Sequence, residues 1–380
     1  MKMKLFAAAV AALAAGGAYA QSSVTLYGVV DAGVEYANHQ PGVAGSHDVV
    51  RLTSGNMSSG SRWGLRGVED LGGGLKGIFV LESGFNVDTG TQGQGNRLFG
   101  RQAFVGVQSQ FGTLSLGRHQ TPLYDFGLAF DPMAISTNYS ITTQDGGFAS
   151  RADNSIKYTG TFGGLTGSLL YSTGSNTGAT AGNAYQGNAG EVPGNYKLGR
   201  EYAASLIYNG GPFSIGAVYD EVNPGIALAD DAKIRRASVA GTYAFGPAKV
   251  FAGYRWAKAS DGARLAGGTL ADGTVASSRS NLYWLGMGYQ LTPALSLTGA
   301  AYYQDFNNTG ADPWSFVVST DYAFSKRTDA YLNVSYAKNK DGSTLGVSSG
   351  GPGAIAGSGF GTTQGSANQF GAVVGVRHKF

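Results

Sequence analysis

The chain has no cysteine, little charge and no long apolar run, and each shortage removes a class of protein. Without a single Cys among 380 residues there is no disulfide framework and no thiol chemistry. Apolar residues make up 42%, ample for a core. Beyond Ala20, however, no stretch reaches the ~18 consecutive apolar residues that a membrane-spanning helix needs. Charged residues are only 13%, and the two signs nearly cancel. The N-terminus explains part of the excess of positive charge. Met1-Lys2-Met3-Lys4 is a basic segment, Leu5 to Ala15 an apolar one, and Ala18-Tyr19-Ala20 a small-x-small cleavage site. That is the layout of a secretory signal peptide, residues 1–20, cut before Gln21. Its removal leaves 25 of the 27 basic residues against 24 acidic ones, a net charge of +1. So even a balance implies no nucleic-acid partner. The four histidines, His39, His47, His119 and His378, are scattered without metal-ligand spacing, and no metal or cofactor is implied.

What the chain does have is glycine (62), tyrosine (21) and phenylalanine (19), arranged around strands of period two. Ser61–Phe85 is the template. Trp63 and Leu65 alternate with Arg62 and Arg66, so the apolar pair lies on one face and both arginines on the other. Glu69 to Gly74 has the chemistry of a reversal, and Leu75 onward reads as the return strand. An aqueous sandwich would alternate too. Here charged residues recur on the polar face of paired strands, which suits lipid outside and water inside, a transmembrane barrel.

The unit repeats along the chain. A first strand covers Val24–Tyr36, followed by a Gly/Ser-rich connection to about Ser61. Hairpins then turn at Ser109–Gly112, Thr161–Gly164, Asn209–Pro212, Phe245–Ala248, Leu291–Ala294 and Phe324–Arg327, and Phe370–Phe380 stands alone at the end. Seven hairpins and two single strands predict an all-β fold, a 16-stranded antiparallel transmembrane barrel over 21–380, whose last strand pairs with the first. Strands of about ten residues suffice to cross the hydrocarbon, and closure leaves no unpaired edge in lipid. Short turns alternate with long Gly/Ser/Asn-rich connections such as Ser175–Gly194 and Gly342–Gly365, the pattern of periplasmic turns and external loops. The apolar parity carries Tyr171, Tyr202, Tyr208, Tyr243, Tyr283, Tyr303, Trp314 and Tyr336 among other aromatics, as girdles at two lipid–water boundaries require. By the same parity Leu332 and Val334 face lipid and Asn333 faces water.

These residues resemble the trimeric general porins of Gram-negative outer membranes, especially their beta-proteobacterial subgroup. The resemblance runs the full length, through SSVTLYGVVDAGVEY, SRWGLRGVEDLGGGLKGIF, LFGRQAFVGVQSQFGTLSLGR, DNSIKY, and a terminal Phe380 after GAVVGVRHK. It implies a homotrimer in outer-membrane lipid, passing ions and small hydrophilic solutes by passive diffusion. It also implies a third loop, residues 119–152, folded into the lumen, and a Phe380 that the assembly machinery recognises. The loop's own composition agrees. Leu123, Phe126, Leu128, Phe130, Met133 and Ile135 are bulky for a loop in water, whereas Gly342–Gly365 is far poorer in such groups.

The family's basic cluster maps onto Arg62, Arg66, Arg101 and Arg151, with Arg97 the least regular match. Across from them the expected acids of the inserted loop are Asp125, Asp131 and Asp145. Opposed charges across an aqueous neck set up a transverse field; the plainer alternative is that they are solvated lumen charges. Strict alternation puts Arg118 with Leu114 and Leu116, and either a bulge or a position above the membrane would reconcile it.

Two motif matches carry nothing. Gly72–Gly77 fits GxGxxG but leads into a strand, and Gly346–Gly350 fits GxSxG without a strand–elbow–helix context. A barrel enzyme would need a partnered histidine, for which His119 is the one candidate. A plugged, purely structural barrel is disfavoured by small residues on the polar parity, among them Ser168, Ser205, Gly216, Ser238, Gly253, Ser296, Ser319 and Ser335.

Overall fold

A computed structural model describes residues 23–42, 45–57, 60–175, 191, 193–224, 230–265, 267, 270, 272–274, 277–348, 363, 365 and 367–380. The signal segment 1–20 and most of the Ser175–Gly194 and Gly342–Gly365 tracts lie outside them. The strands are β1 (Ser23–Gly42), β2 (Gly45–Thr53), β3 (Arg62–Gly72), β4 (Leu75–Gly84), β5 (Gln102–Ser109) and β6 (Gly112–Gln120). They continue as β7 (Arg151–Phe162), β8 (Leu165–Ser172), β9 (Glu201–Gly210), β10 (Phe213–Val222), β11 (Lys233–Phe245) and β12 (Ala248–Ser260). The last are β13 (Arg279–Gln290), β14 (Leu295–Phe306), β15 (Trp314–Ala323), β16 (Thr328–Lys338) and β17 (Gln369–Lys379).

Apart from β2 and β3, which both pair with β1, neighbours in sequence are antiparallel neighbours in space. β1 pairs with β17 from Val29↔Lys379 to Ala37↔Gly371, which closes the sheet. The lower half of β1 pairs with β3 and its upper half with β2. β2 and β3 thus share one position in the wall, and the barrel has 16 strands. This corrects one expectation, since residues 37–42 and 45–53 are strand and not an irregular connection. β1 runs on to Gly42 and returns as β2, where Val50 and Leu52 keep the period of two with exposed side chains. Among the described residues no helix is long and apolar enough to cross a membrane.

The two faces separate as period two demands. Leu26, Leu116, Leu206, Leu285, Leu332 and Val374 are exposed on the outside, while Ser168, Ser238, Ser319 and Ser335 are buried on the inside. Outward aromatics form two rows. Near the long loops, Tyr254, Tyr283, Tyr303 and Trp314 are register partners on four successive strands, with ring centroids 5.1, 6.2 and 4.5 Å apart. Near the short turns the pairs are Tyr208–Phe213, Tyr243–Phe245 and Tyr322–Phe324. Tyr283 and Tyr289 mark the two rows on β13, about 20 Å apart along the strand. That spacing fits the apolar band of an outer-membrane barrel.

A bulge settles the position of Arg118. The β6–β7 register shifts between Gly117 and His119, and Gly117 takes φ +140, against the carbonyl of Ala103 where a Cβ would clash. The extra residue turns Arg118 off the lipid parity, and its guanidinium bonds Asp153 at 2.5 Å.

Candidate functional site

The third long connection, residues 121–150, folds into the barrel. Its neck is clipped where Thr121 and Ser150 share a hydroxyl–hydroxyl bond of 2.8 Å. Thr121 also caps the helix α1 (Pro122–Phe130), accepting from the Tyr124 amide, and Pro122 supplies a first residue that needs no donor. Leu123, Phe126 and Phe130 of α1 are fully buried against the inner wall. Phe130 lies over Gly216 of β10, where a Cβ would strike its ring, and Trp284 Nε1 donates to the Phe130 carbonyl at 3.0 Å. Some of the small inward residues therefore receive the loop instead of leaving open space.

Beyond α1 the loop follows the wall toward β17 and β1. Asp131 accepts from Tyr302 of β14 at 2.5 Å and from the Ile135 amide at 2.8 Å. Asn138 donates to Asn56, and Tyr139 reaches Glu35 of β1. The returning limb bonds Ser315 of β15 through Gln144 at 3.1 Å. Asp145 then meets Arg236 of β11 at 3.0 Å and Arg255 of β12 at 3.1 Å, all three buried. Burial by itself would raise the Asp145 pKa; the two guanidiniums outweigh it and hold the carboxyl below the usual range. Burial raises Asp131 to about 6.

Two further segments join the loop inside. Met57 donates its amide to Asp31 at 3.0 Å and packs against the buried core, and Asn333 donates to the Asn56 carbonyl at 2.8 Å. Asn333 thus faces inward as its parity requires, but under protein and not in water. Leu345 and Val347, at the start of the last long connection, are buried in the same cluster. Sequence reasoning missed this segment; its one mark is Met57, a lone bulky residue in a Gly/Ser-rich tract.

The predicted arginines divide into two groups. Arg62 and Arg101 share Glu82 of β4 at 3.7 and 2.7 Å, and Tyr27 donates to the same carboxylate at 3.0 Å. Arg151 lies over the Tyr124 ring at 5.2 Å, and Arg101 is 3.5 Å from the Tyr124 hydroxyl. Arg66 is one register step along, over the Tyr27 ring at 5.5 Å. Those four gather around Glu82, Tyr27 and Tyr124. Arg97 goes elsewhere and bridges with Arg118 to Asp153 at 2.7 Å. Each predicted acid bonds a group other than these arginines. Asp125 bonds Lys157 at 2.6 Å, Asp131 bonds Tyr302, and Asp145 bonds Arg236 and Arg255. Sequence reasoning missed Glu82, Arg236 and Arg255, since nothing local marks a strand residue as the partner of one many strands away.

His119 is buried at the bulge, stacked on Phe104 at 4.7 Å, with Nδ1 2.8 Å from Ser155 Oγ. Among the described residues no carboxylate bonds its other nitrogen, so it lacks the orienting group of a hydrolytic triad. Phe380 ends the seam, exchanging backbone hydrogen bonds of 3.0 Å with Gly28 of β1.

A family model described as Gram-negative porin matches residues 7–342. An outer membrane porin of Bordetella pertussis is 32% identical over 89% of this chain and 95% of its own length. Outer membrane porin protein 32 of Delftia acidovorans is 32% identical over the whole of both chains. The solved anion-selective porin from Comamonas acidovorans is 27% identical and superposes with a TM-score of 0.75 over 95% of this chain and 100% of that one. With its closed 16-stranded wall, apolar outside and inserted loop, the chain belongs to the Gram-negative porin family, diffusion channels of the outer membrane.

Proposed function

We propose that the inserted loop sets the waist of this channel and that the waist favours anions. One observation carries the reading: Arg62 and Arg101 share a single carboxylate, Glu82, with Arg66 over the Tyr27 ring and Arg151 over the Tyr124 ring, while the loop's acids are engaged by Lys157, Tyr302, Arg236 and Arg255. The loop runs along the wall from β8 to β15 and on to β1, its Tyr124 covers Arg101 and Arg151, and Arg62 and Arg66 of β3 are the open members of the cluster. Arginine stays charged at every working pH and holds a fixed geometry, so the wall is permanently positive. The anion selectivity of the Comamonas relative is in line with this.

The test is the reversal potential in a salt gradient across a planar bilayer. Replacing Arg62, Arg66 and Arg101 together with serine shifts it toward cations; an unchanged potential would remove the cluster from the waist. The mature channel is a homotrimer in outer-membrane lipid, residues 1–20 are its export signal, and Phe380 is the mark by which the assembly machinery takes up the last strand. Phe380→Ala tests the last point, since it lowers the amount of assembled protein in cells while leaving refolding in detergent intact.

A further inference from the structure

The inner wall carries an apolar surface that the inserted loop does not cover. Glu82 fixes which residues of β4 face inward, since it meets Arg62, Arg101 and Tyr27 inside the lumen. In steps of two from Glu82, Val80 and Ile78 share its face. Val80 is the register partner of Arg66 on β3 and of Phe104 on β5, and Ile78 is the partner of Val68 on β3. Val68, Ile78, Val80 and Phe104 therefore form a strip just below the arginine cluster, toward the short turns. Inward apolar residues on other strands, such as Val218, Leu282, Val317 and Val373, are buried in the cluster that the loop makes with the wall. The strip is outside that cluster: Val68 is 39% exposed, and the other three are half-buried. Phe104 gives one face to His119, stacked at 4.7 Å. In a lumen filled with water, such a surface gains by being covered.

The groups around the strip set the charge of what can cover it. Arg66 stands in one row with Val80 and Phe104. It is exposed, lies over the Tyr27 ring at 5.5 Å, and makes no ion pair among the described residues. A planar guanidinium takes a carboxylate through two parallel hydrogen bonds. At its other end the strip meets Asp70 and Lys76, register partners of opposite sign that add no net charge. Three strands ~4.8 Å apart and one step of two residues make the strip about 10 Å wide and about 7 Å tall. That is room for one six-membered ring beside the guanidinium, and a small anion without a ring meets the guanidinium alone.

We infer that the waist takes aromatic monocarboxylates in preference to small anions of the same charge, the ring on Val68, Ile78, Val80 and Phe104 and the carboxylate on Arg66. The inference rests on the arginine wall being the anion path. The probes are benzoate and acetate, each added to single channels carrying potassium chloride across a planar bilayer. Benzoate lowers the current with a midpoint about fivefold below that of acetate, because only its ring buries apolar surface. V68T/V80T keeps the shape of both side chains and adds hydroxyls, and it brings the two midpoints together. V80L keeps them apart, and R66S raises both alike. The open-channel current itself shows that each variant is folded. Equal midpoints in the wild-type channel would overturn the inference, and so would a gap that persists in V68T/V80T. The reversal potential in potassium chloride alone separates the two readings. A channel that prefers anions but treats benzoate and acetate alike refutes the strip only, whereas a preference for cations refutes the waist and the strip together.

Discussion

Asp145 is the residue on which docking of the inserted loop turns, and Asp145→Asn tests it. The carboxylate sits between Arg236 and Arg255 at 3.0 and 3.1 Å, with all three side chains no more than 5% exposed. Breaking a buried pair by removing one partner costs about 3–5 kcal/mol, because the other charge stays buried. Here the vacated guanidiniums can reach lumen water once the loop lifts, so the low end, about 3 kcal/mol, applies to docking and none of it to the barrel. At about 1.4 kcal/mol per tenfold, that raises the opening constant roughly a hundredfold. Hydrogen exchange reads it directly. The amides of Asp145, Phe148 and Ser150 bond to Ile141, Asp145 and Gly147 within the returning limb. They exchange about a hundredfold faster in D145N, while strand amides do not change. Asp125→Asn is the control: its carboxylate is 36% exposed, and its Lys157 pair is worth no more than about 1 kcal/mol. Equal protection in wild type and D145N, or equal loss in D145N and D125N, would refute the reasoning.

Acid adds an arm with its own sign. Asp145, held low by its arginines, contributes above the ordinary carboxylate range and is lost only as pH falls through its depressed value. Asp131, raised to about 6, works in reverse, favouring the docked loop as it protonates and losing that contribution as pH rises through 6. After correction for intrinsic exchange, the loop is therefore better protected at pH 5 than at pH 7.

Two more predictions concern the wall and the waist. Leu332→Arg, on the lipid face at the middle of β16, destabilises folding by about 2–4 kcal/mol in urea titrations, whereas Ser296→Arg, half-exposed on the inner face, is close to neutral; equal costs would overturn the assignment of faces. Asn333, although on the inner face, does not serve as the control, since it donates to the Asn56 carbonyl. Deleting Phe130–Asn138 raises conductance and admits larger sugars in liposome swelling while the barrel still forms, and an unchanged size cut-off would mean that another element sets the waist.

The sequence by itself determined the wall. Alternation with period two is a local property, so Leu332, Asn333 and Val334 took their faces from their neighbours, and turns such as Glu69–Gly74 and Asn209–Pro212 marked each reversal. An apolar solvent outside and water inside left one closed solution for so many paired strands. The bulky residues of the third loop were legible for the same reason, as groups too apolar for a loop in water. Tertiary structure decided the rest. Whether residues 45–53 were loop or strand depended on β1 continuing to Gly42 as their partner. Arg118 could be placed only once the Gly117 bulge was seen. The partners inside the lumen are far apart in the chain: Asp145 and Arg236 are separated by 91 positions, Asp31 and Tyr331 by 300. In a closed barrel every strand faces every other across the lumen. Which charges meet there follows from the path of one loop along the wall, and period two carries no information about that path.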